Sequence, residues 1–150
     1  MIQEEFKFYK PCKLLQAYVR YYWVFNSCQM MNTYTFPIGC PQIIFHKRTP
    51  LFVPELGTTQ DKLTISGQVN FSSHLQADND IEMIVVVFYP HTINMFLNTP
   101  ASAFYNKEIS GYDIEDKHLN ELAMQVLECE DNNLCVNLIE KWLLSRLSTR

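Results

Sequence analysis

Between residues 18 and 25 the chain alternates with period two. Val19, Tyr21, Trp23 and Phe25 fall on one side of an extended backbone, and Tyr18, Arg20, Tyr22 and Asn26 on the other. This predicts a strand with one oily face and one aromatic face carrying polar tips. Upstream, a short strand is expected over residues 5–9, and Pro11 opens a helical turn through Leu14, Leu15 and Ala17. Proline suits a first helical position because its missing N–H would have no partner there. Residues 26–35 break the pattern with turn chemistry at Asn26-Ser27 and Met31-Asn32. The bend Phe36-Pro37-Ile38-Gly39-Cys40-Pro41 then leads into an apolar strand that begins at Gln42, since Pro41 cannot donate to a ladder. Within the bend, Gly39 can take a positive φ.

Residues 47–60 read as a loop rich in breakers (Pro50, Pro54, Gly57), with a short strand at 51–53. A strand is expected over 63–68, where Gly67 marks a bulge or a close approach, and strand-like material continues over 69–75. Asp78-Asn79-Asp80 is a hairpin turn into a strand over 81–89. Its segment Met83-Ile84-Val85-Val86-Val87-Phe88 is apolar on both faces, the mark of a central strand covered on both sides.

After Pro90 the period changes. Two short helical pieces are expected, over 91–97 and 100–104, broken at Asn98-Thr99-Pro100, and a polar segment follows over 106–115. Leu119, Leu122, Ala123, Val126 and Leu127 then mark one face of a helix, with Asp113 or Asp116 able to cap it. Asp131-Asn132-Asn133 ends that helix and caps a second, running to about Ser148. The second helix carries two apolar stripes, Val136, Ile139, Leu143 and Leu147 beside Leu134, Leu138 and Trp142. One stripe suffices for a helix on a monomer surface, so the expectation is a helix that also packs on a partner. Val136, Ile139, Trp142, Leu143 and Leu147 are its candidate dimer-interface residues. The whole reads as one α+β domain over residues 1–150, β-rich to 90 and helical from 91.

A chain of 150 residues, 47% hydrophobic, can bury a sizeable core as one domain. Its net charge of -4 and the absence of any basic run longer than Lys47-Arg48 argue against nucleic-acid binding by this chain itself. Residues 1–10 lack the apolar centre of a signal peptide, and the longest apolar run, 83–89, is far short of a membrane span. A soluble, cytoplasmic chain with no membrane partner is expected. The five cysteines, Cys12, Cys28, Cys40, Cys129 and Cys135, are odd in number and form no Cys-x-x-Cys pair. They suit a reducing compartment rather than a disulfide framework or zinc site. Cys40, beside the Pro41 bend, is the candidate for reactivity.

The chemistry-bearing residues are sparse. His46, His74, His91 and His118 are too scattered for a metal signature, although His46 and His91 could sit at the mouth of a cavity. Asp113, Glu115 and Asp116 cluster at a helix start, where capping explains them. Ser66 sits in Ser-Gly-Gln rather than in a nucleophile elbow, and four glycines leave no phosphate loop. No catalytic residue, metal or cofactor is expected. The aromatic content is the exception, with ten Phe, eight Tyr and two Trp. Core packing takes most of these rings. The remainder point to a small-molecule cavity whose candidate lining is Tyr22, Trp23, Phe36, Cys40, Phe45, Gln68, Phe88 and Tyr89, with Tyr22, Gln68 and Tyr89 as polar handles. Arg20 could receive a carboxylate.

Residues 14–24, residues 36–45, Ser66-Gly67-Gln68, residues 85–90 and the Phe96-Leu97…Pro100-Ala101 segment recur in this order in one setting. They resemble the amino-terminal domain of AraC-type bacterial transcription regulators, in the subgroup that opens with a Tyr-Val-x-x-Tyr-Trp strand. The resemblance covers most of the chain from about Pro11. It implies an antiparallel, barrel-like (cupin-like) β-sheet followed by a carboxyl-terminal helix pair, and a homodimer that senses a small-molecule effector without being an enzyme. DNA would be read only through a helix-turn-helix part absent from this chain, which is then either a piece of a longer protein or a stand-alone regulatory half. Ile38 and the Tyr89, His91-Thr92 stretch depart from the family's usual residues and would alter what a pocket accepts. Two rival expectations come from other classes: a small cupin-like metal-dependent enzyme, and a ligand-free structural dimerisation module.

Overall fold

The computed structural model describes residues 4–27, 31–35, 40–67, 73–77, 80–99, 103 and 107–148. Its strands are β1 (Glu4–Tyr9), β2 (Val19–Ser27), β3 (Met31–Thr35), β4 (Gln42–His46), β5 (Phe52–Val53), β6 (Thr58–Thr59), β7 (Leu63–Ser66), β8 (Ser73–Ala77), β9 (Ile81–Phe88) and β10 (Glu108–Ser110). Helices α1 (Lys117–Glu128) and α2 (Asn132–Ser148) follow. The architecture is α+β. A six-stranded sheet runs β1-β2-β9-β4-β7-β10 and a four-stranded sheet runs β3-β8-β5-β6, every pairing antiparallel. Both are open, with two edges each, rather than closed into a barrel.

The large sheet is the middle layer. On one face Val24, Ile43, Phe45, Ile65, Ile84, Val86 and Phe88 pack with Leu119, Val126, Ile139 and Leu143 of the helices. On the other, Phe25, Ile44, Met83, Val85 and Val87 pack with Leu51, Ala77 and the half-buried Leu75 beside and within the small sheet. Strand β9 contributes to both clusters, as its two apolar faces require. It pairs with β2 and β4.

Several elements depart from the sequence reading. Strand β2 has a bulge between Val19 and Tyr21. An extra residue on one strand rotates the residues after it, so Val19 joins Tyr22 and Val24 on the helix side. Tyr21, Trp23 and Phe25 face the small sheet. The side expected to carry polar tips is therefore the more deeply buried one, with Tyr22 wholly enclosed. The expected turn region contains β3, and the polar stretch before α1 contains β10 and a 3-10 turn over Gly111–Ile114. That turn lies so close to β7 that a Cβ on Gly111 would collide with the Leu63 side chain. Of the two expected helical pieces, the first is a 3-10 turn, Ile93–Met95, and the second falls mostly outside the described residues. Gly39 and the Asp78-Asn79 turn residues also lie outside them.

The helix pair is set by caps and ionic latches. Asp116 caps α1 by accepting from the Leu119 N–H. Its carboxylate also receives Arg146 Nη2 from α2 at 2.6 Å, and the Arg146 guanidinium stands over the Trp142 ring at 5.0 Å. On the sheet side, Tyr22 Oη donates to Glu140 Oε2 at 2.8 Å, and the Cys12 N–H donates to the same oxygen. Lys47 Nζ donates to Asn132 Oδ1 at the start of α2. Burial, with Lys47 opposing it, pushes the neighbouring Cys135 thiol up to about 12, so it packs as a neutral side chain.

The candidate interface residues Val136, Ile139, Trp142 and Leu143 are buried in the chain's own core, and Leu147 is half-buried against it. The sheet's helix-side face needs this stripe for cover. What α2 turns outward is Leu134, exposed, with Leu138 and Leu144 half-buried. Ile139→Ala and Leu143→Ala should each lower the unfolding free energy by about 2–4 kcal/mol, the range for truncating a buried aliphatic side chain. Urea titration measures the loss, and sedimentation should show the mass of the folded variants unchanged.

Candidate ligand-binding site

On the small-sheet side, the large sheet ends in a strip of aromatic rings. Phe6 and Phe8 of β1 pair across from Phe25 and Trp23 of β2. Phe6 lies 4.5 Å from the Phe25 ring and 5.9 Å from Trp23, and Phe8 lies edge-on to Tyr21 at 5.4 Å. Such tilted pairs are favourable ring geometries. Trp23 and Tyr21 are half-buried, while Phe6 and Phe8 are 61% and 63% exposed.

A cation closes one end of this strip. Arg20, at the β2 bulge, stands over the Tyr21 ring at 5.8 Å, and its Nη1 donates to Cys40 Sγ at 3.5 Å. The bond to Cys40 raises the guanidinium pKa above its ordinary value, with smaller contributions from Tyr21 and Tyr89. Arg20 is exposed. An exposed guanidinium beside ring faces offers a bidentate donor to a carboxylate whose apolar body lies along Tyr21, Phe8 and Trp23.

The candidate lining residues divide between the two faces. Trp23 and Cys40 belong to the small-sheet side, and Tyr89, exposed, contributes to the field at Arg20. Tyr22, Phe45 and Phe88 are fully buried on the helix side and line no shared surface with them. Phe36 and Gln68 lie outside the described residues. Phe6 and Phe8 escaped the sequence reading, although their alternation with Lys7 was the available signal.

Three histidines have polar partners within the fold, and His91 is exposed. His46 is completely buried rather than at a cavity mouth. Gln60 Nε2 donates to Glu108 Oε2 at 2.8 Å, which leaves the Gln60 oxygen to accept from His46 Nε2–H at 2.6 Å. Nδ1 is then the bare nitrogen, and it has no partner among the described residues. Burial lowers the His46 pKa to about 4 against the opposing Gln60 bond. Burial raises Glu108 in turn, opposed by Gln60 and Ser66. His74 pairs with Glu55 at 2.6 Å, and His118 faces Glu121. Among the described residues no group of three or more His, Cys, Asp or Glu is set to hold a metal ion, and no helix is long and apolar enough to cross a membrane.

Residues 7–110 match the family model described as a domain of unknown function (DUF6597). The chain belongs to this family. No curated protein matches it. The DUF6597 match begins within β1, at Lys7, and ends with β10, so it takes in Arg20 and every ring of the aromatic strip but Phe6, and leaves α1 and α2 outside.

The buried His46 makes stability depend on pH. Its folded pKa of about 4 lies below the unfolded value of 6.5. The unfolded chain therefore takes up a proton first as pH falls, and roughly 3 kcal/mol of stability is lost between those two values. Glu108 acts with the opposite sign, its contribution being present at low pH and lost as pH rises through its raised folded value. Unfolding free energies measured from pH 7 to 4 should fall less steeply in His46→Gln than in the wild type.

Proposed function

We propose that this chain is the regulatory domain of an AraC-type transcription regulator, which binds a small effector and dimerises, with DNA contacted by a separate helix-turn-helix part. The observation that carries the sensing half is the aromatic strip closed by Arg20 on the large sheet. Its chemistry suits an organic anion with a flat apolar body, such as an aromatic carboxylate. The sequence resemblance supports the same reading, since the strand bearing Tyr18, Val19, Tyr22 and Trp23 is the one that opens the AraC subgroup pattern.

The geometry also supplies a route for a signal. Trp23 and Tyr22 are neighbours on β2 but face opposite layers. Trp23 faces the strip, while the Tyr22 hydroxyl is bonded to Glu140 of α2. A ligand seated on Trp23 and Arg20 in preference to the empty strip would favour one setting of β2, and with it one setting of α2. Such a shift needs only a difference in ligand affinity between two settings. On the outer side of the helix pair, grooves of about 550 and 410 Å³ flank Leu138 and Lys141, where a downstream part could rest.

Thermal-shift titration with indole and naphthalene carboxylates, beside their uncharged amides and a panel of sugars, tests the sensing half. The carboxylates should raise Tm by several degrees, since a hundredfold excess over Kd adds about 2.7 kcal/mol to a state that alone binds ligand. Arg20→Ala should abolish the preference for acid over amide, and Trp23→Ala should weaken both. A flat response to the whole panel would favour a ligand-free structural module.

A further inference from the structure

Strand β1 is an edge of the large sheet and pairs only with β2 among the described residues. Among the described residues no strand pairs with its outer backbone groups, an arrangement that proteins normally blunt or cover. Here the edge is neither short nor shielded on its aromatic face, where Phe6 and Phe8 are both largely exposed. Lys7 lies between them on the opposite face, across from Val24 of the helix-side core.

We infer that a second copy of the chain docks on this edge, β1 against β1 and antiparallel, about a two-fold axis at Phe6. This deepens the dimerising half of the proposed function by naming its surface. The order of charges along the strand argues for a self-partner. Reversed against itself about Phe6, the sequence Glu4-Glu5-Phe6-Lys7-Phe8 sets Glu5 opposite Lys7 twice and Phe6 opposite Phe6. Opposite charges and aromatic pairs facing across an antiparallel ladder are favourable, and like charges are not. Moving the axis one residue, to Lys7, would set lysine against lysine. In the Phe6 register the exposed Phe6 rings of the two copies meet at the axis and join the two aromatic strips, with Phe8 opposite Glu4 on either side of them. The two six-stranded sheets become one continuous sheet, in an isologous contact that closes after two copies.

A helix-mediated dimer is the competing arrangement, and substitutions separate the two. Sedimentation velocity on the whole chain, over a concentration and salt series, should give a dimer for the wild type. Lys7→Glu and Glu5→Lys should each weaken association by about tenfold or more. Glu5→Lys combined with Lys7→Glu should restore it to within about threefold. Phe6→Ser should be monomeric with unchanged circular dichroism, because the ring is exposed. Leu134→Asp with Leu138→Asp, on the outer side of α2, should leave the dimer intact. A wild-type monomer at about 100 μM overturns the inference, as does a dimer lost through the α2 pair but indifferent to Lys7→Glu and Phe6→Ser. Failure of the double charge swap to restore association overturns the two-fold register and the pairing with it. Because Lys7 faces away from the strip, a monomeric Lys7→Glu chain that still responds to aromatic carboxylates would support sensing and dimerisation as separate properties. A dimer without any ligand response would uphold the inference and remove the sensing half of the function.

Discussion

Strand β9 is hydrogen-bonded along both edges and buried on both faces, and every layer of the molecule is packed onto it directly or through its neighbours. Ile84, Val86 and Phe88 meet the helices, while Ile81, Met83, Val85 and Val87 meet the small-sheet layer. Each such side chain contributes about 1.5–3 kcal/mol when fully withdrawn from water, and the ladder to β2 and β4 fixes which face each one serves. A slip of one residue would exchange the two sets and move Glu82 off the face where it meets Lys47, Arg48 and Asn132. Glu82 thus helps to specify the register of the most apolar strand.

The same two-sidedness shapes β2. Its bulge at Arg20 lets one strand carry a guanidinium toward solvent, a phenol toward α2 and an indole toward the small sheet. A regular strand would place Val19 and Tyr22 on opposite faces, whereas both are in the helix-side cluster. The Tyr22–Glu140 bond joins groups that burial would otherwise penalise. Burial, reinforced by Glu140, pushes the Tyr22 phenol far above its ordinary pKa, so it serves as a neutral donor. Polar links of this kind add little net stability, but they specify one docking of α2 among many oily alternatives.

Much of the fold was legible because it depends on local period. The two-faced apolar run marked β9 as central, Pro41 set the start of β4, and Asp116 capped α1 as its position before an amphipathic stretch implied. The candidate site was legible only in part. Trp23, Cys40 and Arg20 could be singled out as types, but their assembly depends on a bulge that strict alternation does not announce. Gln60 and Glu108 lie forty-eight positions apart, and no local pattern links such a pair to His46.

The order of apolar and polar residues by itself determined that this chain makes a run of strands followed by two helices, because side-chain period and caps act over a few residues. Only the tertiary structure decided that the strands divide into two open sheets, that the oily stripe of α2 is spent on its own core, and that Tyr22 and Trp23 serve opposite layers. Those outcomes turn on which surfaces compete for the same cover, and that competition is settled between segments far apart in the chain.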